Sequence, residues 1–322
     1  METKILFAGI KRELEELEAG LEEVLDSREK LVADISSHLL SSAGKRLRPA
    51  LFFLCAKIKE EELNDHVPVA VAIELIHSAT LVHDDVVDNS DTRRGQPSVN
   101  YKWGNQASVL MGDYLFAKAF AILTSVGTIK TINVMSNVIE KMSEGEIQQL
   151  DEIFIPDISE ETYLNRVEKK TALFISGSCQ CGGVVARFSD EEIKALKDYG
   201  YNLGMAFQIT DDLLDYLGEE AKTGKPVGND LRHGTVTLPF IYMLQDSDKK
   251  DFFKERIRDR NIDEKLINDI IKEIINTGAF DKAYDLAEKY ASAAARNLQI
   301  FPDTPYKRRL ESIAYFIVKR YY

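Results

Sequence analysis

LIHSATLVHDDVVDNSDTRRG runs from Leu75 to Gly95 and sets charge inside an apolar stretch. Three aspartates, Asp84, Asp85 and Asp88, stand inside an apolar stretch, and Arg93 and Arg94 follow closely. On a helix, positions i and i+4 share a face. Asp84 and Asp88 then project together, with Val86 and Val87 on other faces. This pattern predicts a core helix that turns carboxylates into a cavity. Like charges at that spacing repel, so a positive partner is expected.

The pattern recurs once. FQITDDLLDYLGEE, Phe207 to Glu220, places Asp211, Asp212 and Asp215 at the same D-D-x-x-D spacing beside Leu213 and Leu214. Hard divalent cations prefer oxygen donors, and Mg2+ takes one or two carboxylates and leaves positions for water and phosphate. A solvated acidic face or a pair of helix caps is the competing reading of one such cluster. Two copies inside apolar helices weaken it. Neither copy has the spacing of a calcium-binding loop.

Around these clusters the chain is mostly periodic at helical spacing. Ile10, Leu14, Leu17, Leu21 and Val24 form a stripe suited to core packing or a dimer contact. Ile262, Leu266, Ile267, Ile270, Ile271 and Ile274 form another, stopped at Asn276-Thr277-Gly278. Ala283 to Leu298 favours helix, and Leu310, Ile313, Ala314 and Ile317 mark a last one. Strand signals are weak. Loops are expected at Ser41–Gly44, Asn89–Gly95, Ile155–Asp157 and Thr223–Gly228. The expectation is one all-α domain over residues 1–322, a bundle of long helices.

Composition narrows the function. The 322 residues carry 41 Lys and Arg against 53 Asp and Glu, a net charge of −12. That argues against nucleic acid as a general partner and against broad adhesion to anionic lipid. Cys55, Cys179 and Cys181 do not make a disulfide framework and read as buried small residues. The N-terminus lacks a secretion signal's apolar core, and the apolar run Val67–Val82 is broken by Glu74 and His77. The expectation is a cytoplasmic protein that is not integral to a membrane.

In so acidic a chain, short basic elements beside apolar helices read as anion sites. They are Lys45, Arg46 and Arg48 in GKRLRP, the pair Arg93 and Arg94, Lys169-Lys170-Thr171, and Lys225 in TGKPVGND. Arg offers a planar fork to phosphate oxygens and Lys a compact charge. TGKPVGND lacks the spacing of a phosphate loop. Metals on the acidic clusters suit one phosphate group, and the basic elements suit a second. A pair of substrates with phosphate heads and apolar bodies would use both.

GKRLRP, LIHSATLVHDDVVDNSDTRRG, EGE at Glu144–Glu146, KKTA and GMAFQITDDLLDYLGEEAKTGKPVGNDLRHGTVTLP together resemble the trans-isoprenyl diphosphate synthases, the polyprenyl synthetases. The likeness spans at least Gly44 to Pro239 in the family's order. It implies the all-α isoprenoid synthase fold around a deep central cavity, with the two aspartate motifs facing each other. It implies a Mg-dependent head-to-tail condensation of isopentenyl diphosphate onto an allylic diphosphate such as farnesyl diphosphate. Asp84, Asp85, Asp88, Asp211, Asp212 and Asp215 would hold about three Mg2+, with Mn2+ as a substitute. Arg93, Lys170 and Lys225 would contact the allylic diphosphate, and Gln208 would line that site. Lys45, Arg48, His77 and Arg94 would bind isopentenyl diphosphate. Thr171 and Gln208 would stabilise the allylic cation. His77 alternatively reads as a buried, hydrogen-bonded histidine.

Ala79 and Thr80 stand one turn before Asp84, where aromatic residues keep products short in the family. Their small size implies a medium to long product for a quinone side chain, roughly thirty to fifty carbons. Met135 and Ile139 are candidates for the tunnel floor. The resemblance also implies a homodimer and loose membrane association through the product. The rival readings are a short-chain farnesyl or geranylgeranyl diphosphate synthase, a terpene cyclase, a non-catalytic subunit of a heteromeric synthase, and an acidic helical scaffold.

Overall fold

The structure is a computed structural model that describes residues 7–42, 44–59, 62–217 and 227–319. It is all-α, as the periodicity predicts. The backbone gathers into two compact units. One comprises Met1–Ser136, Ser178–Lys194 and Phe301–Leu310; the other comprises Asn137–Gly177, Ala195–Ile300 and Glu311–Tyr322.

In the first unit, α1 (Lys11–Leu25), α2 (Lys30–Ser41) and α3 (Leu47–Ala56) lead to the acidic helix α4 (Val67–Val87). Pro68 sits in the first turn of α4, where its missing N–H costs nothing. Ala70, Ala72, Ile73, Leu75, Ile76 and Ala79 of α4 are fully buried. Burial on nearly every face overrides the modest helix propensity of its Val and Ile residues. The N-terminal stripe packs inside the chain. Ile10, Leu17, Leu21 and Leu25 are buried, and a Cβ on Gly20 would meet Val71 Cγ2 at 2.9 Å. It serves as a packing stripe, with Leu14 and Val24 half-buried at its margin. Cys55, Cys179 and Cys181 are wholly buried, and burial pushes the Cys55 and Cys181 thiols up, away from the thiolate form.

The stretch after α4 is not a plain loop. Asn89, at φ 50°, ends the helix in the left-handed region. Two short antiparallel strands, β1 (Thr92–Arg93) and β2 (Gln96–Pro97), then pair Thr92 with Pro97 and Arg93 with Gln96. The two-residue turn is Arg94 and Gly95, both at positive φ, the geometry that matches strand twist. The following helix α5 (Val99–Val126) packs along α4 and is kinked at Gly104, whose φ of 82° is non-helical. Both α4 and α5 have the length and apolar composition of a membrane span, which the sequence reading did not find. In α4 most of that surface is core, whereas in α5 only 28% of the apolar window is buried.

In the second unit, α6 (Ile129–Glu152) and α7 (Glu160–Val167) lead into a π-helical turn at Glu168–Ala172 and then α8 (Leu173–Val185). Helix α6 begins and α8 ends in the first unit, and the helices at Asp190–Leu217 and Pro305–Lys319 also begin there. Helix α9 (Asp190–Leu217) carries the second acidic cluster, and α10 (Asn229–Arg232) follows it. The core is completed by α11 (Leu238–Asp246), α12 (Lys250–Arg258), α13 (Glu264–Asn276) and α14 (Ala279–Asn297), with α15 (Pro305–Lys319) last. In α13 the stripe Leu266, Ile267, Ile270 and Ile274 is buried as its spacing predicts, and Asp263 caps the helix by accepting from Leu266 N–H at 2.8 Å. Gly278, at φ 67°, takes the left-handed conformation at the expected stop.

Candidate active site: two acidic helices and their basic neighbours

At the end of α4 the three aspartates differ. Asp85 is buried, Asp84 is half-buried, and Asp88 is exposed at the helix C-terminus, its N–H donating to Asp84 O at 2.8 Å. Arg93 grips Asp85, with Nε and Nη2 each 2.7 Å from Oδ1. The hairpin therefore returns an arginine onto the helix that precedes it, and the buried carboxylate is neutralised. Arg94 donates from Nη1 to Ser42 O at 3.0 Å. A pocket lined by His38, Ser42, Ser78, Asp85, Arg93 and Arg94 opens here. His38 Nε2 lies 2.7 Å from Pro97 O, so the end of α2 holds both sides of the hairpin.

The GKRLRP element divides into roles. Arg46, at φ 50°, is buried between Glu18 and Glu74, with Nε 2.7 Å from Glu18 and Nη1 2.6 Å from Glu74. These carboxylates raise the Arg46 pKa against the effect of burial, so Arg46 is a structural cation. Lys45 is exposed, and Arg48 Nη1 lies 3.1 Å from His77 Nε2. Guanidinium only donates, so His77 accepts at Nε2. Both side chains keep some surface, yet surrounding protein penalises their charge. Burial pushes Arg48 down to about 10, which leaves it a cation at neutral pH. Burial, and then the nearby Arg48, Arg94, Arg93 and Arg46, push His77 well below the usual histidine value. Ala79 is buried, and Thr80 is half-buried with its hydroxyl on His77 O at 2.8 Å.

In the second unit Asp211 is exposed on α9 while Asp212 is buried. Asp212 accepts from Tyr163 Oη at 2.6 Å and from Gln208 Nε2 at 2.8 Å, and burial pushes it up to about 7. Asp215 accepts the backbone N–H groups of Asn229 and Asp230, each at 3.1 Å. Its carboxylate thus caps α10, which is part of what the cap reading described. Lys170 Nζ lies 2.8 Å from Glu146 and 2.7 Å from Gln149 Oε1. Thr171 Oγ1 donates to Gln208 Oε1 at 2.7 Å. Lys170 and Thr171 both sit in the π-helical turn, a distortion found often at functional sites. Lys225 lies outside the described residues.

Within each unit the acidic cluster suits a hard divalent cation: Asp84 and Asp88 on α4, and separately Asp211 on α9, offer oxygen only, from helix faces that reach solvent. Among the described residues no three His, Cys, Asp or Glu side chains converge into a ready-made cage. An ion completed by water and substrate phosphate needs no such cage. Sequence reasoning missed Tyr163, Glu74 and the structural part of Arg46. Only Arg46 carried a signal, as the middle cation of GKRLRP.

The profile of the Polyprenyl synthetase family matches residues 29–274. Octaprenyl diphosphate synthase of Escherichia coli (strain K12) is 39% identical over 304 residues, 94% of each chain. Heptaprenyl diphosphate synthase component 2 of Geobacillus stearothermophilus is 36% identical over 322 residues, all of both chains. A polyprenyl synthase from Caulobacter crescentus CB15, solved with calcium and isoprenyl diphosphate, superposes with a TM-score of 0.94 at 34% identity, covering 99% of this chain and 98% of that one.

Proposed function

The chain belongs to the polyprenyl synthetase family, and from this we propose that it is an all-trans polyprenyl diphosphate synthase making a medium to long product. It is a prenyltransferase. The observation that carries the reading is that both D-D-x-x-D motifs and the basic elements are intact in a chain matched end to end by such enzymes.

In this reading the C1–O bond of the allylic diphosphate breaks and the electron pair leaves with diphosphate. The double bond of isopentenyl diphosphate attacks C1, a proton is lost to the released diphosphate, and the chain is five carbons longer. Divalent ions, Mg2+ in our reading, supply positive charge to the leaving group when bound. The calcium and isoprenyl diphosphate of the Caulobacter relative support a divalent site. Asp84, Asp88 and Asp211 are the residues that would hold them. Arg48 and Arg94 orient the second diphosphate, and His77, kept neutral, accepts from Arg48 and sets its direction. Thr171 and Gln208, joined by the Thr171 hydroxyl, would present oxygen lone pairs to the cation. Both substrates are water-soluble diphosphates, which supports a cytoplasmic enzyme whose product passes to a membrane.

The exposed apolar face of α5 supports a homodimer. A second reading is favoured by one observation: the full-length match to a relative named as component 2. On it, the chain is the catalytic component of a two-component synthase. One assay tests the function and separates the two readings. The purified chain is given isopentenyl and farnesyl diphosphates with Mg2+, and product length is read by chromatography. Elongation to a medium or long product, abolished by EDTA, is expected. Elongation only after a second component is added selects the two-component reading. No elongation in either case rejects the function.

A further inference from the structure

We propose that Tyr163 is a positioning residue of this reaction, acting through Asp212 to set the direction of the Gln208 amide. The inference rests on the function proposed above. Four side chains form one line: Tyr163 Oη to Asp212 Oδ2 at 2.6 Å, Gln208 Nε2 to Asp212 Oδ1 at 2.8 Å, and Thr171 Oγ1 to Gln208 Oε1 at 2.7 Å. Every donor in it points toward Asp212. Gln208 turns the NH2 end of its amide to Asp212 Oδ1 while Tyr163 donates to Oδ2, so each carboxyl oxygen takes one donor. Gln208 Oε1 is then turned to Thr171 and takes its hydroxyl proton. The outward ends of the line are the lone pairs of Thr171 Oγ1 and the second lone pair of Gln208 Oε1. Two partly negative oxygens stabilise an adjacent cation, and the engaged hydroxyl proton keeps the polarity from reversing.

Tyr163 is placed to hold that polarity. It is wholly buried, so its hydroxyl has no water to turn to. The Arg166 guanidinium lies 5.7 Å from its ring centre and is itself bound to Glu152 and to Val236 O. Helix α7 thus fixes the ring, and the ring fixes one oxygen of Asp212. With Tyr163 removed, Asp212 is free to rotate toward other donors and the amide loses its single orientation. The second aspartate of the second motif is then a hub that aims its neighbours.

The test uses the full chain with Mg2+ and both diphosphates. Tyr163→Phe removes one oxygen and is expected to lower kcat about tenfold or more, with KM for both substrates within about twofold. Because Tyr163 acts through Gln208, Tyr163→Phe added to Gln208→Leu is expected to change kcat by less than about twofold. In 15N-labelled protein without substrate, the Gln208 side-chain amide signal, assigned by its loss in Gln208→Leu, is expected to exchange faster in Tyr163→Phe. An unchanged kcat, losses that multiply, or a rise in KM alone overturns the proposal. If Tyr163→Phe does not fold, Asp212→Asn, which can accept from only one of its two neighbours, is expected to show the same kcat loss; failure of both to fold also overturns it. If the wild type elongates no primer, the proposed function has failed, and the amide exchange still decides whether Tyr163 sets Gln208.

Discussion

At the scale of residues, charge in this protein is controlled by what surrounds each group. His77 is the sharpest case. Burial and four arginines push its pKa well below the ordinary histidine value. The unfolded chain binds a proton near pH 6.5 that the folded chain refuses, so its contribution to stability is full above that pH and is lost as pH falls below it. The loss is about 1.4 kcal/mol per pH unit. His77→Gln keeps an acceptor for Arg48 and does not titrate. Urea unfolding at pH 7 and pH 5.5 is therefore expected to show about 1 kcal/mol more loss in the wild type than in the variant. Equal losses would mean that His77 is not held neutral. Ala79 gives a second prediction. It is buried one turn before Asp84. If it borders the path of the growing chain, Ala79→Phe shortens the product ladder while the melting temperature holds. A ladder of unchanged length with a lower melting temperature, the sign of overpacking by about 1–3 kcal/mol, would place Ala79 in closed core.

At the scale of elements, close approach of backbones decides where the chemistry sits. A Cβ on Gly204 of α9 would lie 2.5 Å from Ala172 Cα, in the π-helical turn that carries Lys170 and Thr171. Backbone cannot step aside as a side chain can. Gly204→Ala is expected to cost about 1–3 kcal/mol in denaturant unfolding and to lower kcat through displacement of Thr171 from Gln208. Full activity would mean that the turn tolerates the shift. This turn was invisible in the sequence, because Glu168–Ala172 reads as ordinary helix and only packing against α6 and α9 selects the wider turn. The hairpin was hidden for a similar reason: Arg94-Gly95 makes a turn usually signalled by Asn-Gly. What was legible had periodicity behind it. The stripes on α1 and α13 and the D-D-x-x-D faces depend on spacing along one helix, and spacing is what sequence records. Tyr163 was not legible, since its partner Asp212 is 49 positions away and nothing local marks a buried tyrosine as a donor.

At the scale of the whole molecule, the surface of α5 is the part of a single chain that stays most exposed to water for its apolar character. The helix is 28 residues long, and Tyr101 and Leu110 on it are 65% and 68% exposed. Val109 and Val126 are also exposed, and Ile129, at the start of the next helix, is 77% exposed. Apolar surface in water costs about 25 cal/mol per Å2, so exposed apolar side chains along one helix favour a cover. A bilayer is a poor cover, because Lys102, Asp113 and Lys118 stand on the same helix and Gly104 kinks it. A second protein surface tolerates such charges at its rim. A second copy of this chain presents an identical face, and an isologous contact across a two-fold axis needs nothing else. The expected outcome is a dimer of the purified chain by light scattering, shifted toward monomer in Leu110→Glu, where a charge is buried against its own symmetry mate. If the wild type is monomeric until a second component joins it, the face belongs to that component, and Leu110→Glu should then block that association. A variant that changes neither would leave α5 without a protein partner and would return the bilayer as its cover.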